Sequence, residues 1–552
     1  MRQDAPIADG TSSRWNADVL AARYGRTAAI AVVGLALALR LPDLFGWWVN
    51  PDEGIYFAVL TQERFDLFWG EVFATAHPPL YFLVLRAMGV IGTDLAWLRS
   101  CALVCGCAAV WVFILIGRDV GGASARGWLT GLTAGLLLAV SPVAIELSQV
   151  IRPYMLLVLL LALALHFLLG YLERPSHRPL ILYAACASLA ALVHYSAALA
   201  LGVFATLVAA DGIRRGTART EWRRLAAVQV IPGAIVGVLY LLQLRQLMAS
   251  TDAEFSVETW LSAYLIHTPM DAWLTLVGFH SSLVGRAAGV SATFVTLIAL
   301  VAAARMREGE LFIAVGGALL IATACAALQL YPFGAGRHSA WLFPFVTLGL
   351  ASGVASVLRG ARPAAVVTGA VLAGLLLRAP LGAERAEPAL AEHVVRNEHV
   401  AAMAEALDSQ SPPLVVVMSV ETYRLLLPLY PAERQRARTS PDRIFSHFRW
   451  GIRDVIVLPG LDVSVLREQI EQPNHLYGGT RRAARELGVV LPANGEPVLL
   501  LSGAWRRSVF DLADLAREKG LAAPTQMAPS LIAITLDLEA YGRALANVPG
   551  PP

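Results

Sequence analysis

Two acids, Asp52 and Glu53, stand side by side in the string WWVNPDEGIY (Trp47 to Tyr56), directly after the first long apolar run. Ionised carboxylates are costly to hold near hydrocarbon, so an acidic pair at a membrane boundary reads first as functional. Trp47, Trp48 and Tyr56 suit that depth, because amphipathic rings settle at the headgroup level. Neighbouring side chains diverge in helix and strand alike, so this pair does not flank one bond as the two acids of a glycosidase do. One acid faces a reaction centre and the other supports it. Asp52 is the candidate base, since shielding a carboxylate from water raises its basicity. The plain alternative is a helix cap, as Asp52 follows Pro51 and precedes the apolar FAVL.

Three further strings carry groups that can meet an anion. In AHPPLYFLVLR (Ala76 to Arg86), His77-Pro78-Pro79 fixes the backbone ahead of an amphipathic helix that carries Tyr81. His77 there can contact an anionic group or a metal. SPVAIELSQVIRPY (141–154) holds Glu146, Gln149, Arg152 and Tyr154, and YPFGAGRHSAW (331–341) holds Tyr331, Arg337 and His338. An arginine at a span edge offers phosphate a planar fork, or else snorkels to lipid headgroups. His194-Tyr195 also ends a span, and a lone histidine there reads as structural. Neither an HExxH zinc motif nor a GxSxG elbow occurs, which argues against a soluble-type hydrolase. All five cysteines lie in apolar runs without accompanying His or carboxylate and read as packing residues.

These strings are spaced by membrane segments. The chain has 552 residues, 57% hydrophobic and 15% charged, with mean hydropathy +0.59. Soluble domains carry about 25% charged residues, so this is a polytopic α-helical membrane protein. A net charge of +3 with dispersed basic residues gives no reason to expect nucleic acid as a partner. Apolar runs of about spanning length fall at 27–46, 96–117, 127–142, 153–172, 179–195, 196–212, 225–247, 287–304, 311–330, 340–358 and 363–379, about eleven in all. The run 78–92 is short and reads as a helix lying in the membrane plane. Arginines gather at 2–26, 118–126, 174–178, 214–224, 305–307 and 359–362, which the positive-inside rule places in the cytoplasm. The four strings above then all lie outside. The expected layout is a cytoplasmic tail at 1–26, a membrane module at 27–380 with a first outer loop at 47–95, and an extracytoplasmic domain at 381–552. In that last domain the apolar strings 413–420, 454–460, 497–503 and 531–538 alternate with helical patterns at 388–408 and 508–519, as in a small α/β fold.

The order and spacing of PDEGIY (51–56), HPPLYFLVLR (77–86), LRS (98–100), SPVAIELSQVIRPY (141–154) and GRHSAWLFP (336–344) resemble the C-type (GT-C) membrane glycosyltransferases. The likeness covers roughly residues 27–380. It is nearest to the bacterial branch related to dolichyl-phosphate-mannose protein mannosyltransferases and lipid A aminoarabinose transferases. The resemblance implies inverting transfer of one sugar from a polyprenyl-phosphate-sugar donor to a hydroxyl of an envelope glycan, lipid or protein. The reaction would occur on the outer face of the bacterial inner membrane, with membrane lipids as surroundings. Residue by residue, it implies Asp52 as base with Glu53 beside it. It places His77, Arg152, Arg337 and His338 near the donor phosphate, and Tyr56, Tyr81, Gln149, Tyr154 and Tyr331 in the substrate cavity. Some relatives carry an acid in the second outer loop where this chain reads Gln149-Val150-Ile151-Arg152. That departure weakens the case for a bridging divalent cation, which stays open, and no other cofactor is expected.

Two other readings fit a polytopic envelope protein. A transporter or lipid/glycan flippase would carry its charges near the midplane on broken helices, whereas here they gather at one face. A non-catalytic assembly protein would work through its C-terminal domain alone.

Overall fold

Within hydrocarbon every backbone polar group must be bonded inside its own segment, so apolar runs of this kind fold as helices. The computed structural model describes residues 12–45, 51–62, 64–122, 124–216, 219–248, 264–305, 309–357, 397–408, 415–419, 423–424, 426–427, 438–439, 445–458, 473–491, 498–503, 525–528 and 531–536. The first eleven helices are α1 (Ser12–Arg40), α2 (Pro51–Leu60), α3 (Phe65–Ala74), α4 (Leu80–Gly89), α5 (Leu95–Gly121), α6 (Ala125–Val140), α7 (Pro142–Leu147), α8 (Tyr154–Glu173), α9 (His177–Val193), α10 (Ala197–Arg215) and α11 (Arg219–Leu239). A π-helical turn, Tyr240–Leu244, continues α11, and further helices span Pro269–Val284, Gly289–Arg305, Ala318–Ala327 and Phe343–Val357.

Among the described residues, 7 helical stretches are long and apolar enough to cross a membrane. They are Leu95–Gly121, Tyr154–Glu173, Ala197–Arg215, Trp222–Leu244, Arg286–Arg305, Gly309–Ala327 and Arg337–Ala355. The runs expected at 127–142 and 179–195 appear as the shorter apolar helices α6 and α9. The run at 363–379 lies outside the described residues. α4 has 10 residues, so at the helical rise it is about 15 Å long, against about 30 Å of hydrocarbon. It buries Tyr81, Phe82 and Leu85, in keeping with a segment that does not cross.

The chain divides into two compact units: Met1–Phe45, Glu63–Met88 and Ala96–Ala391 form one, and Gly46–Gln62, Gly89–Leu95 and Glu392–Pro552 form the other. In the first, α8 lies along α9, α1 along α6, and Phe343–Val357 packs on α6 and on Gly289–Arg305. Lipid tails are as apolar as leucine, so close packing rather than water exclusion holds such helices together. α5 and α6 meet through Gly117, Gly121, Gly127 and Gly131: a Cβ on Gly117 would stand 2.7 Å from the Gly131 Cα. Side chains such as Val104, Ile181, Val230, Leu241 and Leu320 stay exposed, as lipid-facing positions do.

The second unit is a mixed sheet of seven strands: β1 (Val415–Ser419), β2 (Arg438–Thr439), β3 (Ser446–Trp450), β4 (Arg453–Leu458), β5 (Val498–Gly503), β6 (Thr525–Ala528) and β7 (Leu531–Leu536). Their order is β2-β3-β4-β1-β5-β7-β6. β1 runs parallel to β4 and β5, with Val417 opposite Ile456 and Leu500, and the remaining pairs are antiparallel. The four strings expected from sequence are the contiguous centre of the sheet, β4-β1-β5-β7. The strands that sequence reading missed, β2, β3 and β6, lie outside that centre. They are short or polar, as in SHFRW and TQMA, so they lack the continuous apolar run that marks a strand in sequence. The helices Asn397–Asp408 and Pro473–Leu487 accompany the sheet, and Trp450 Nε1 donates to Asp408 Oδ1 at 2.7 Å. The pattern expected at 508–519 lies outside the described residues.

α2, the helix with the acidic pair, belongs to this second unit. It starts at Pro51, where a missing N–H costs nothing. Asp52 and Glu53 fall in its first turn, and carboxylates are favoured at that end of the helix dipole. Asp52 is therefore not a cap residue preceding the helix. Gly54 faces the backbone of Arg424, and a Cβ there would run into the Arg424 carbonyl oxygen.

Candidate active site

The cationic groups singled out in the sequence converge in the first unit, at helix ends. α3 finishes at Thr75, whose hydroxyl and backbone N–H both donate to the Val72 carbonyl, at 2.8 and 3.2 Å. Two residues on comes His77, whose backbone Pro78 biases away from the helical region, and α4 begins after Pro79. α9 ends at His194 and α10 starts at Ala197. The ring of His77 stands 5.3 Å from that of His194, centroid to centroid, and Tyr154 at the start of α8 lies 5.2 Å from His194 on another side.

The 141–152 segment brings Arg152. Ser141 caps α7, accepting from the Ala144 N–H at 3.5 Å, and Pro142 fits the first helical position. The segment is anchored from below by Arg40, the last residue of α1, which is fully buried. Arg40 donates to Ser148 Oγ at 3.0 Å, to the Ala139 carbonyl at 2.8 Å and to the Leu138 carbonyl at 3.0 Å. Those carbonyls end α6 and have no partner within it. Gln149 answers by donating its amide to the Arg40 carbonyl at 3.0 Å. Its amide nitrogen thus serves this junction.

The 3-10 helix Arg337–Leu342 presents Arg337 and His338, and the hydroxyl of Tyr331 donates to the His338 carbonyl at 3.2 Å. Arg337 acts electrostatically on His77, Glu146, Arg152 and His194, and His338 on His194, so these side chains share one neighbourhood.

The electrostatics of that neighbourhood suit an anion. Burial, then the charge of Arg337, push His77 down to about 4. Burial, then His77, His338, Arg152 and Arg337, hold His194 well below the ordinary histidine range. Burial, then Arg337, lower Arg152 as well. Burial pushes the half-buried Glu146 up to about 7, with Arg337 pulling it back. A guanidinium whose charge burial and a neighbouring cation disfavour, and imidazoles kept neutral beside it, are relieved by a bound anion. His194 is further fixed in one form: its Nδ1 accepts from the Ser196 N–H at 3.1 Å, so a proton on that ring sits on Nε2.

The structure therefore gathers His77, Arg152, Tyr154, Tyr331, Arg337 and His338 from the sequence-predicted set. Tyr81 is buried in α4. Asp52, Glu53 and Tyr56 lie on α2 of the other unit, where Glu53 and Tyr56 are fully buried and Asp52 is half-buried. Sequence reading took His194 as structural and passed over Arg40. The cue for His194 was its place at a span edge on the same face as the other cations. Arg40 gave only the signal of a basic residue closing an apolar run. Among the described residues, no group of three or more His, Cys, Asp or Glu stands together as a metal site.

The model of the dolichyl-phosphate-mannose-protein mannosyltransferase family matches residues 76–240, the stretch that supplies His77, Arg152 and His194. No curated protein matches the sequence. Among solved structures, apo ArnT from Cupriavidus metallidurans aligns over 96% of this chain and 100% of its own, with TM-score 0.50 and 17% identity. ArnT of the same organism bound to undecaprenyl phosphate aligns over 96% and 99%, with TM-score 0.48 and 15% identity. The apo oligosaccharyltransferase of Archaeoglobus fulgidus aligns over 87% of this chain and 69% of its own, with TM-score 0.48 and 11% identity. The dolichyl-phosphate-mannose-protein mannosyltransferase model thus matches the stretch that carries much of the site, and the chain shares the fold of ArnT.

Proposed function

We propose that the protein moves a single sugar, with inversion, from a polyprenyl-phosphate-sugar to a hydroxyl of an envelope glycan, lipid or protein on the outer face of the bacterial inner membrane. The observation that carries the reading is the convergence of His77, His194, Arg152, Arg337 and His338 in one neighbourhood. A donor held by its tail in the bilayer brings a phosphate to such a group, and the phosphate is also the leaving group. The acceptor oxygen attacks the anomeric carbon as the bond from that carbon to the phosphate oxygen breaks. Configuration inverts in that single displacement. The electron pair leaves on the phosphate, whose growing charge the arginines stabilise, so no general acid is required. The acceptor proton passes to a carboxylate, the role assigned to Asp52, with Glu53 as its support. Tyr154 and Tyr331 line the sugar side, and Tyr56 and Tyr81 complete the proposed substrate set.

A divalent cation at this site would supply positive charge to the leaving phosphate and would need carboxylates to hold it. The second loop here carries Gln149 and Arg152, and the described residues gather no ligand set.

The test is transfer from polyprenyl-phosphate sugars to membrane extracts. Asp52→Asn should fold normally and lose transfer by about 1,000-fold, the range expected for a general base. Normal turnover by that variant would sink the assignment. Lipid or glycan flux in proteoliposomes without covalent product would favour a flippase instead.

A further inference from the structure

Gln243 is buried in the π-helical turn Tyr240–Leu244 that ends α11, and it does more than close a helix. Its Nε2 lies 3.0 Å from the Val72 carbonyl, 2.7 Å from that of Thr75 and 3.0 Å from that of His77. A primary amide has two hydrogens, so three carbonyls share them and all three are drawn to one point. Carbonyls only accept, so they also fix which end of the amide is nitrogen, and its Oε1 accepts from the Tyr195 hydroxyl at 2.7 Å. Tyr195 follows His194 in the chain. One side chain thus ties the end of α3, the loop carrying His77 and the turn carrying His194, whose rings meet at 5.3 Å.

The π turn is part of the device. Inserting one residue into a helix rotates the downstream residues by about 100° relative to an α path, and such turns recur at functional sites. The loop of three residues between α3 and the two prolines has local bonds from Thr75 to the Val72 and His77 carbonyls, and Gln243 adds its tie to a helix distant in the chain.

We propose that Gln243, held by Tyr195, is a positioning residue that sets the His77 loop for phosphate binding. The functional half of this inference rests on the reading of His77 given above; the structural half does not. Gln243 touches the Tyr195 hydroxyl and three main-chain carbonyls, and it acts through His77.

Two measurements on the full-length chain in detergent decide it. The first is hydrogen–deuterium exchange of residues 70–77 in the wild type, Gln243→Leu and Tyr195→Phe. Exchange there should rise about tenfold in Gln243→Leu and several-fold in Tyr195→Phe, with α8 unchanged. Unchanged exchange at 70–77, or an equal rise in α8, overturns the clamp. Tyr195→Phe keeps the ring, so it gives an answer even where Gln243→Leu folds poorly.

The second is binding of undecaprenyl phosphate in wild-type and His77→Ala backgrounds. Gln243→Leu should weaken binding about tenfold in the first and less than about twofold in the second. Equal losses in both backgrounds overturn positioning through His77. A wild-type chain that binds no phosphate lipid overturns the proposed function, and the exchange data then still judge the clamp.

Discussion

His77 and His194 meet ring to ring, 5.3 Å between centroids and tilted by 51°, although one sits on the α3–α4 loop and the other at the end of α9. Ser196 commits Nδ1 of His194 to accepting its N–H. His77 is then the ring of the pair that can respond to an arriving charge.

Binding of a phosphate lipid is expected to take up a proton at His77. Burial and Arg337 push this histidine down to about 4, so it is neutral near pH 7. A phosphate dianion beside it favours imidazolium and raises that value. The bound state then holds more protons, and affinity gains from His77 as pH falls toward 4, where the ligand-free histidine titrates too. Calorimetry with undecaprenyl phosphate at pH 6.5, in buffers of different ionisation heat, should show proton uptake that His77→Ala loses.

Arg337→Leu should separate binding from stability. Arg337 lowers the charge preference of Arg152, so the two cations work against each other without ligand. Removing one should weaken phosphate-lipid binding by about tenfold or more, the range for a hydrogen bond to a charged group. The same change should raise the melting temperature of the lipid-free protein by a few degrees, as relief of site strain does. Thermal unfolding with and without undecaprenyl phosphate checks both; a fall in Tm without lipid counts against the repulsion.

Arg40→Met should be costly. It strands the Leu138 and Ala139 carbonyls, leaves the Ser148 hydroxyl its bond to the Ala144 carbonyl, and frees the segment that ends at Arg152. Charged hydrogen bonds of this kind are worth about 1.5–3 kcal/mol each, so a loss on the order of 3 kcal/mol is expected for the whole set. A Tm within about 2 °C of wild type would show that the junction is held by packing instead.

Gly54→Ala tests how α2 is seated in the second unit. The added methyl meets a backbone carbonyl, that of Arg424, which cannot swing away as a side-chain end does. About 1–3 kcal/mol of overpacking is expected, read as early unfolding or faster proteolysis of the C-terminal region. If Asp52 is the base, transfer should fall in step, since its helix would be displaced. An unaltered Tm and an unaltered rate would show that this contact does not seat the helix.

The membrane class, the main helices and the centre of the C-terminal sheet are legible in the residues alone. Those follow from local chemistry: apolar runs long enough to span, and continuous β-branched and leucine runs such as VVVMS and VLLLSG. The sequence also marked most of the cationic groups, because a charge beside a membrane run is conspicuous wherever it will later sit. The tertiary structure decided which of them meet. His194 read as an ordinary span-edge histidine until α9 placed it against His77 and Tyr154. Gln243 carries no local signature, and Arg40 only that of a basic residue closing an apolar run, since most of their partners are main-chain carbonyls of segments distant in the chain. Carbonyls are present at every residue, so no spacing or residue type reveals which ones a buried donor will find. Only the packing of helices selects them.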